Sequence, residues 1–230
     1  MADLDQEKQL AALRSLDYVQ DGMLLGLGSG STAAYAIRLL GERVRGGLQI
    51  TGIPTSSPTA ELARQVGIPL VTFDTSTRID LTIDGADEVG PELSLIKGGG
   101  GALLREKIVA FASREVLIIA DSSKLVSTLG KFPLPVEVIP FACPVVQEQL
   151  AALGGRPVLR VRTPPDPFLT DEGNYILDCH FETIADPERL AAQLSAIPGV
   201  VEHGLFLKLA TRVLVGRGEE VEVLEAERKG

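Results

Sequence analysis

Short apolar runs in the first half of the chain end, one after another, in glycine-rich or acidic segments, and helical patterns separate them. Met23-Leu24-Leu25-Gly26-Leu27 leads into Gly28-Ser29-Gly30-Ser31-Thr32, then into a helical pattern through Ala33, Ala36, Ile37 and Leu40. The run 79–83 ends in Asp84-Gly85-Ala86-Asp87-Glu88. The shorter run 93–96 ends in Lys97 and the glycines 98–101, and the run 116–120 ends in Asp121-Ser122-Ser123-Lys124. Alternating strands and helices of this kind favour a mostly parallel sheet with helices on both faces. Ligands bind such sheets beyond the strand C-termini. Four loops meeting along one edge would therefore build one site.

The remaining elements follow from periodicity. Leu4, Leu10, Leu13, Leu16 and Val19 predict an amphipathic helix over 4–19. A strand is expected over 48–53, a helix over 57–66 with Pro58 in its first turn, and another helix over 102–112. Beyond Phe132-Pro133-Leu134-Pro135 the pattern changes: strand 136–139, helix 144–153, strand 157–161, strand 175–177, helix 187–194, and a strand from Val200. That β-α-β-β-α-β order is ferredoxin-like. The expected fold is thus α/β: a Rossmann-like mostly parallel sheet with a second, smaller ferredoxin-like α+β domain. The boundaries are drawn as 1–130 plus 207–230 and 131–206, with the apolar stretch 205–215 returning to the first sheet.

Composition narrows the partners. Asp plus Glu is 31 against 22 Lys plus Arg, a formal charge of −9 with pI near 4.8. A basic nucleic-acid footprint is absent, and an anionic ligand would have to be held by local donors. Cys143 and Cys179 form no CxxC pair and read as small core residues of a chain from a reducing, cytoplasmic compartment. No signal peptide is apparent at the N-terminus, and no apolar stretch approaches the ~20 residues of a membrane span.

The glycine loop 28–32 lets backbone approach a ligand, presents a helix N-terminus, and adds the hydroxyls of Ser29, Ser31 and Thr32, a set suited to phosphate. A dinucleotide fingerprint is not met: Ser31 stands where a third glycine belongs, and the second strand lacks an acidic end. No lysine follows Gly30, so it is not a P-loop. A tight turn with a helix cap remains the plain alternative. Three carboxylates within 84–88 repel one another unless partners intervene. They suit acid/base chemistry or sugar hydroxyls better than a metal, since neither histidine is close in sequence and Lys97 is a competing cation. A solvated acidic turn is the alternative.

Lys97 with Gly98, Gly99, Gly100 and Gly101 is costly to order unless the backbone wraps a ligand or offers N–H groups to an oxyanion. Glu106, three residues after Leu103 and three before Val109, shares a partly apolar helix face where a semi-buried carboxylate could act as a general base. An ordinary solvated Arg-Glu-Lys face is the alternative. Lys124 is either a phosphate contact or a surface lysine. His180 and His203 stand apart and read as structural. A phosphate grip, a carboxylate base, further carboxylates and a lysine with backbone donors together suit proton abstraction beside a carbonyl of a sugar phosphate, with no metal or nucleotide cofactor demanded.

These segments, together with Gly130-Lys131-Phe132-Pro133-Leu134-Pro135-Val136-Glu137-Val138, resemble the type A ribose-5-phosphate isomerases in order and spacing from about residue 6 to about 216. The resemblance implies a cofactor-free interconversion of ribose 5-phosphate and ribulose 5-phosphate in the pentose phosphate pathway. By it, Glu106 aligns with the proton-transferring base. Asp84 and Asp87 align with the carboxylates that handle hydroxyls and ring opening, and Lys97 with the lysine beside the reacting oxygens. Gly85, Ala86, Gly98, Gly99 and Gly100 line the same site, while Ser29, Gly30, Ser31, Thr32 and Lys124 fall at substrate-binding positions that include the phosphate grip. Ser29 departs from a frequent threonine but keeps the hydroxyl. The family implies a homodimer or homotetramer.

Two other classes compete. A deaminase of amino-sugar phosphates or a CoA transferase would need a different acid/base set, such as a histidine in the loops. A sugar-phosphate sensor would need neither Glu106 nor the aspartate pair.

Overall fold

The computed structural model describes residues 3–74 and 77–226. Met1, Ala2, Thr75, Ser76 and 227–230, all within the expected first domain, lie outside the described residues. The chain forms two compact units: 1–86, 105–125 and 208–230 make the first, 87–104 and 126–207 the second.

The first unit is built on a six-stranded sheet in the order Glu220–Glu225, Arg212–Arg217, Ser113–Asp121, Ile79–Asp84, Leu24–Leu27, Thr51–Pro54. Every neighbouring pair is parallel except the edge hairpin, where Arg212–Arg217 and Glu220–Glu225 run antiparallel. Alternation along the strands sorts side chains to two faces. Leu25 and Leu27 join the large core formed with helices α1 (Leu4–Ser15), α2 (Ser31–Arg45) and α3 (Ser57–Val66). Leu24 joins Ile53, Ile79 and Val109 in a smaller cluster, and Val109 lies on helix α4 (Leu103–Phe111). A Cβ at Gly26 would stand 1.9 Å from Thr82 Oγ1 and 2.6 Å from Val109 Cγ1, so the bare glycine is what lets α4 lie close on the sheet. The mostly parallel sheet with helices on both faces is the architecture expected of the alternating pattern.

The second unit holds a four-stranded antiparallel sheet in the order Val200–His203, Leu134–Val138, Tyr175–His180, Arg156–Leu159. Helices α5 (Cys143–Ala152) and α6 (Pro187–Ser195) interleave with these strands in sequence, which completes the ferredoxin-like order. Cys143 and Cys179 are free and buried in its core; burial pushes the Cys179 thiol up to about 12. A separate three-stranded sheet, Leu205–Phe206, Leu95–Ile96 and Glu88–Val89, also belongs to this unit. The stretch 205–215 therefore divides: Leu205–Phe206 pairs with Leu95–Ile96, and only Arg212–Arg217 joins the large sheet.

Glu7 anchors α1 inside the first unit. It is 1% exposed; Oε2 accepts from Ser122 N at 2.9 Å and Ser122 Oγ at 2.7 Å, and Oε1 accepts from Gly218 N at 2.9 Å. Burial alone would raise its pKa, but these donors outweigh it and hold the carboxyl below its ordinary value. A depressed folded-state pKa adds stability that is full above the ordinary value of 4.5 and is lost as pH falls through the folded-state value. Glu7→Gln should remove this acid slope and place an NH2 against a donor, costing about 2–3 kcal/mol at neutral pH. Urea titrations of both proteins at pH 7 and pH 3.5 check it; equal midpoints at pH 7 would refute the anchoring role.

Candidate active site

Three of the four expected loops open along the C-terminal edge of the large sheet, because the strands before them are parallel neighbours. These are 28–32, 84–86 and 121–124. The glycine tract is different: it follows the two-residue strand Leu95–Ile96 and belongs to the second unit. The expectation of four loops on one sheet edge is corrected to that extent. The chain passes from one unit to the other between Ala86 and Asp87 and again between Leu104 and Arg105, inside the two segments richest in candidate residues.

In the first unit Asp84 brackets two loops. Its carboxylate is 2% exposed, and Oδ1 accepts from Ser29 N at 3.0 Å and from Gly85 N at 2.8 Å. Gly28 N donates to Ile83 O at 2.9 Å and carries the parallel ladder one residue past the strand. Gly30 is the N-cap of α2, with φ of +94° and no side-chain cap, so an anion can take that role. Ser31 and Thr32 are the first two residues of α2, exposed and buried respectively.

Ser29 Oγ stands 2.8 Å from both Thr55 Oγ1 and Ser56 Oγ and 3.2 Å from Thr59 Oγ1. Thr59 Oγ1 donates to Gly28 O at 3.0 Å, and Ser56 caps α3 by accepting from Thr59 N at 3.2 Å. Thr55, Ser56 and Thr59 thus extend the hydroxyl group around the loop. None was singled out from the sequence, although Thr55-Ser56-Ser57 follows a strand as the other loops do. Lys124 ends a single 3-10 turn, Ser122–Lys124, and is half-buried. Glu106 sits in the first turn of α4 and is 4% exposed, on the face that also buries Leu103 and Val109.

In the second unit Lys97 is 3% exposed, with Nζ 5.4 Å from the centroid of the Phe206 ring. Its backbone N donates to Gly204 O at 2.9 Å. Asp87 Oδ2 accepts from Gly99 N at 2.7 Å, so this carboxylate fastens the glycine tract. A side chain at Gly99 would collide with that carboxylate at 2.5 Å. Glu88 takes a different part from the two aspartates. It is 3% exposed and accepts from Gly130 N at 2.8 Å and Phe132 N at 2.5 Å, pinning the segment that opens the ferredoxin-like sheet. His203 is buried, lies 3.3 Å from Ser195 Oγ, and accepts from Leu205 N at 3.3 Å. Among the described residues no group of three or more His, Cys, Asp or Glu is placed to hold a metal ion. No helix among them is long and apolar enough to cross a membrane.

The sequence pattern of the ribose 5-phosphate isomerase A (phosphoriboisomerase A) family matches residues 51–220. The chain is 55% identical to ribose-5-phosphate isomerase A of Sphingopyxis alaskensis over 223 residues, 97% of both proteins. Among solved structures, a D-ribose-5-phosphate isomerase in complex with phospho-erythronic acid superposes with a TM-score of 0.94 at 41% identity, over 97% of this chain and 99% of that one. Ribose 5-phosphate isomerase A of Methanocaldococcus jannaschii superposes with a TM-score of 0.90 at 47% identity, over 95% and 97%. With matches of this length, in a chain whose buried carboxylates and glycine loops stand at these positions, the protein belongs to the ribose 5-phosphate isomerase A family and is an isomerase.

Proposed function

We propose that the enzyme interconverts D-ribose 5-phosphate and D-ribulose 5-phosphate through an enediolate, with Glu106 as the general base. The observation that carries this reading is the burial of Glu106 at 4% exposure in the helix turn directly after the glycine tract. A carboxylate withdrawn from bulk water in that turn supports a general-base role.

The steps balance on this chain's own residues. Asp84 and Asp87 handle the ring and chain hydroxyls and assist furanose opening. On the open-chain aldose, the Glu106 carboxylate takes the proton from C2. The electron pair of the broken C–H bond forms the C1=C2 double bond, and the carbonyl oxygen at C1 takes up the negative charge. The Lys97 ammonium and those backbone N–H groups of the glycine tract that Asp87 does not hold stabilise that oxyanion. A proton passes from O2 to O1, Glu106 returns its proton to C1, and the carbonyl re-forms at C2. Gly85 and Ala86 line the site beside the aspartates.

The phosphate is held by Ser29, Gly30, Ser31 and Thr32 with Lys124. An uncapped helix N-terminus ringed by hydroxyls supports that assignment. The relative that binds phospho-erythronic acid adds support: a phosphorylated sugar acid carries negative charge at both ends, as the proposed enediolate phosphate does.

We further place the enzyme in the pentose phosphate pathway, in the cytoplasm, as a homodimer or homotetramer without a cofactor. Phe141 and Val145, exposed at 95% and 59% on the second unit, support self-association, which would cover such apolar surface. The purified protein should convert ribose 5-phosphate to ribulose 5-phosphate at an undiminished rate in EDTA. Absence of product would overturn the reading, and loss of rate in EDTA would overturn its metal independence.

A further inference from the structure

The geometry points to Arg160 as a positioning residue that aims the backbone of the glycine tract. The inference rests on the reading that the tract faces the reacting oxygens. Arg160 lies in the second unit, 62 residues from Gly98 in sequence, between the strands Arg156–Leu159 and Val161–Thr163. Its own backbone is fixed on both sides: N donates to Ile176 O at 2.8 Å, and its carbonyl accepts from Phe168 N at 2.9 Å. The guanidinium divides its donors. Nε donates to Asp178 Oδ2 at 2.9 Å and Nη2 to Asp178 Oδ1, a two-point grip that sets the plane of the group. Nη1 then donates to two successive carbonyls of the tract, Gly98 O at 3.0 Å and Gly99 O at 3.1 Å.

Those two bonds determine more than the carbonyls. In a trans peptide the C=O of one residue and the N–H of the next point in opposite directions. Holding the Gly98 and Gly99 carbonyls on Arg160 therefore turns the N–H groups of Gly99 and Gly100 to the other side. The Gly99 N–H is met there by Asp87 Oδ2 at 2.7 Å. The Gly100 N–H is turned the same way, at a residue that is exposed and has no atom within 4 Å of where its Cβ would be. Gly101 closes the turn by donating to Gly98 O at 2.9 Å, with φ of +81°. The Phe168 ring, 5.7 Å from the guanidinium, occupies the space a Cβ at Gly101 would need. Four glycines have little conformational preference of their own. Here a charged fork, itself locked by Asp178, supplies the order that the tract lacks. Lysine cannot reproduce it, since one ammonium cannot grip a carboxylate at two points and reach both carbonyls.

Arg160→Met keeps the aliphatic length and removes all five donors. Asp178 remains partly exposed, with 23% of its side chain accessible, so water can take the lost place. With ribose 5-phosphate as substrate, kcat should fall about 10–100-fold, the scale of a small misplacement of aligned groups, while KM stays within about threefold. Amide hydrogen exchange at Gly99 and Gly101 should quicken, whereas amides of the strand Leu134–Val138 should not. Arg160→Lys should lie between Met and wild type in kcat. It carries the test if the Met variant does not fold. A folded Met or Lys variant with wild-type kcat would overturn the inference, as would a variant whose only change is a lower Tm. If the wild type itself fails to turn over ribose 5-phosphate, the isomerase reading falls instead. The exchange measurement still reports the hold of Arg160 on the tract.

Discussion

Glu106→Gln should lower kcat by about 10²–10⁴-fold while KM for ribose 5-phosphate changes by no more than about threefold. The amide keeps the shape of the side chain, so the packing of α4 at Leu103 and Val109 is preserved. What it lacks is an oxygen basic enough to take a proton from carbon. A group that acts on the transition state and contributes little to ground-state binding shows this split between kcat and KM. Two further measurements separate chemistry from damage. The Tm should stay at the wild-type value. In D2O the wild type should exchange the transferred hydrogen with solvent deuterium, to an extent set by how long the protonated Glu106 keeps its proton, and the Gln variant should leave that hydrogen untouched. Glu106→Asp, a carboxylate one methylene shorter, should recover part of the lost rate. Near wild-type turnover in the Gln variant would remove Glu106 from the base role and leave the buried carboxylate needing another explanation.

The inner strands of the first-unit sheet, Leu24–Leu27, Ile79–Asp84 and Ser113–Asp121, were legible because each buries a run of apolar residues and ends in residues that cannot continue a strand. Gly28 to Thr32 and Asp84 to Glu88 announce themselves by type, without any knowledge of neighbours. The setting of Glu106 was legible only in part: a spacing of three to Leu103 and to Val109 puts it on a face that both of these bury, but the same spacing also fits a solvated Arg-Glu-Lys face. Other features depend on pairings between distant residues. Leu95–Ile96 is too short to show alternation, so nothing local indicates that it joins Glu88–Val89 and Leu205–Phe206 and carries the glycine tract into the second unit. Arg160 is one arginine among 15 and has no motif around it. Its significance arises from where Asp178 and two carbonyls happen to lie. Glu220–Glu225 has the polar–apolar alternation of an edge strand, yet the expected return to the sheet ended at 215, before the hairpin.

The aspartate pair shows the same limit within one motif. Repulsion among Asp84, Asp87 and Glu88 argued for partners, and each acid has them. The sequence could not say that Glu88 spends its carboxylate on Gly130 and Phe132 while Asp84 spends Oδ1 on Ser29 and Gly85. Three acids within five residues, with different tasks, look alike until their donors are known.

Gly28→Ala should damage both stability and catalysis, for one steric reason. The added Cβ would stand 2.2 Å from Asp84 Oδ1, 2.4 Å from its Cγ and 2.5 Å from its Cα. A flexible side chain could rotate away from such a contact. A Cα cannot, so either the strand Ile79–Asp84 or the loop after Leu27 must shift. That shift breaks the bonds from Ser29 N and Gly85 N to Asp84 Oδ1 and the ladder bond from Gly28 N to Ile83 O. Overpacking of this severity costs about 3 kcal/mol, which for a chain of this size lowers Tm by about 6–12 °C. Displacing Asp84 together with the phosphate loop should lower kcat/KM at least about 100-fold, a larger loss than the change in folded fraction at 25 °C could produce. Gly85→Ala supplies the control for stability. Its Cβ would meet only the carbonyl oxygens of Ser29 and Ile119, at 3.8 and 3.9 Å, so its Tm should match the wild type. Thermal melts and initial rates on the two variants decide the matter. A Gly28→Ala protein with unaltered Tm and kcat/KM would show that the loop and Asp84 can move apart freely, and the bracket assigned to Asp84 would have to be abandoned.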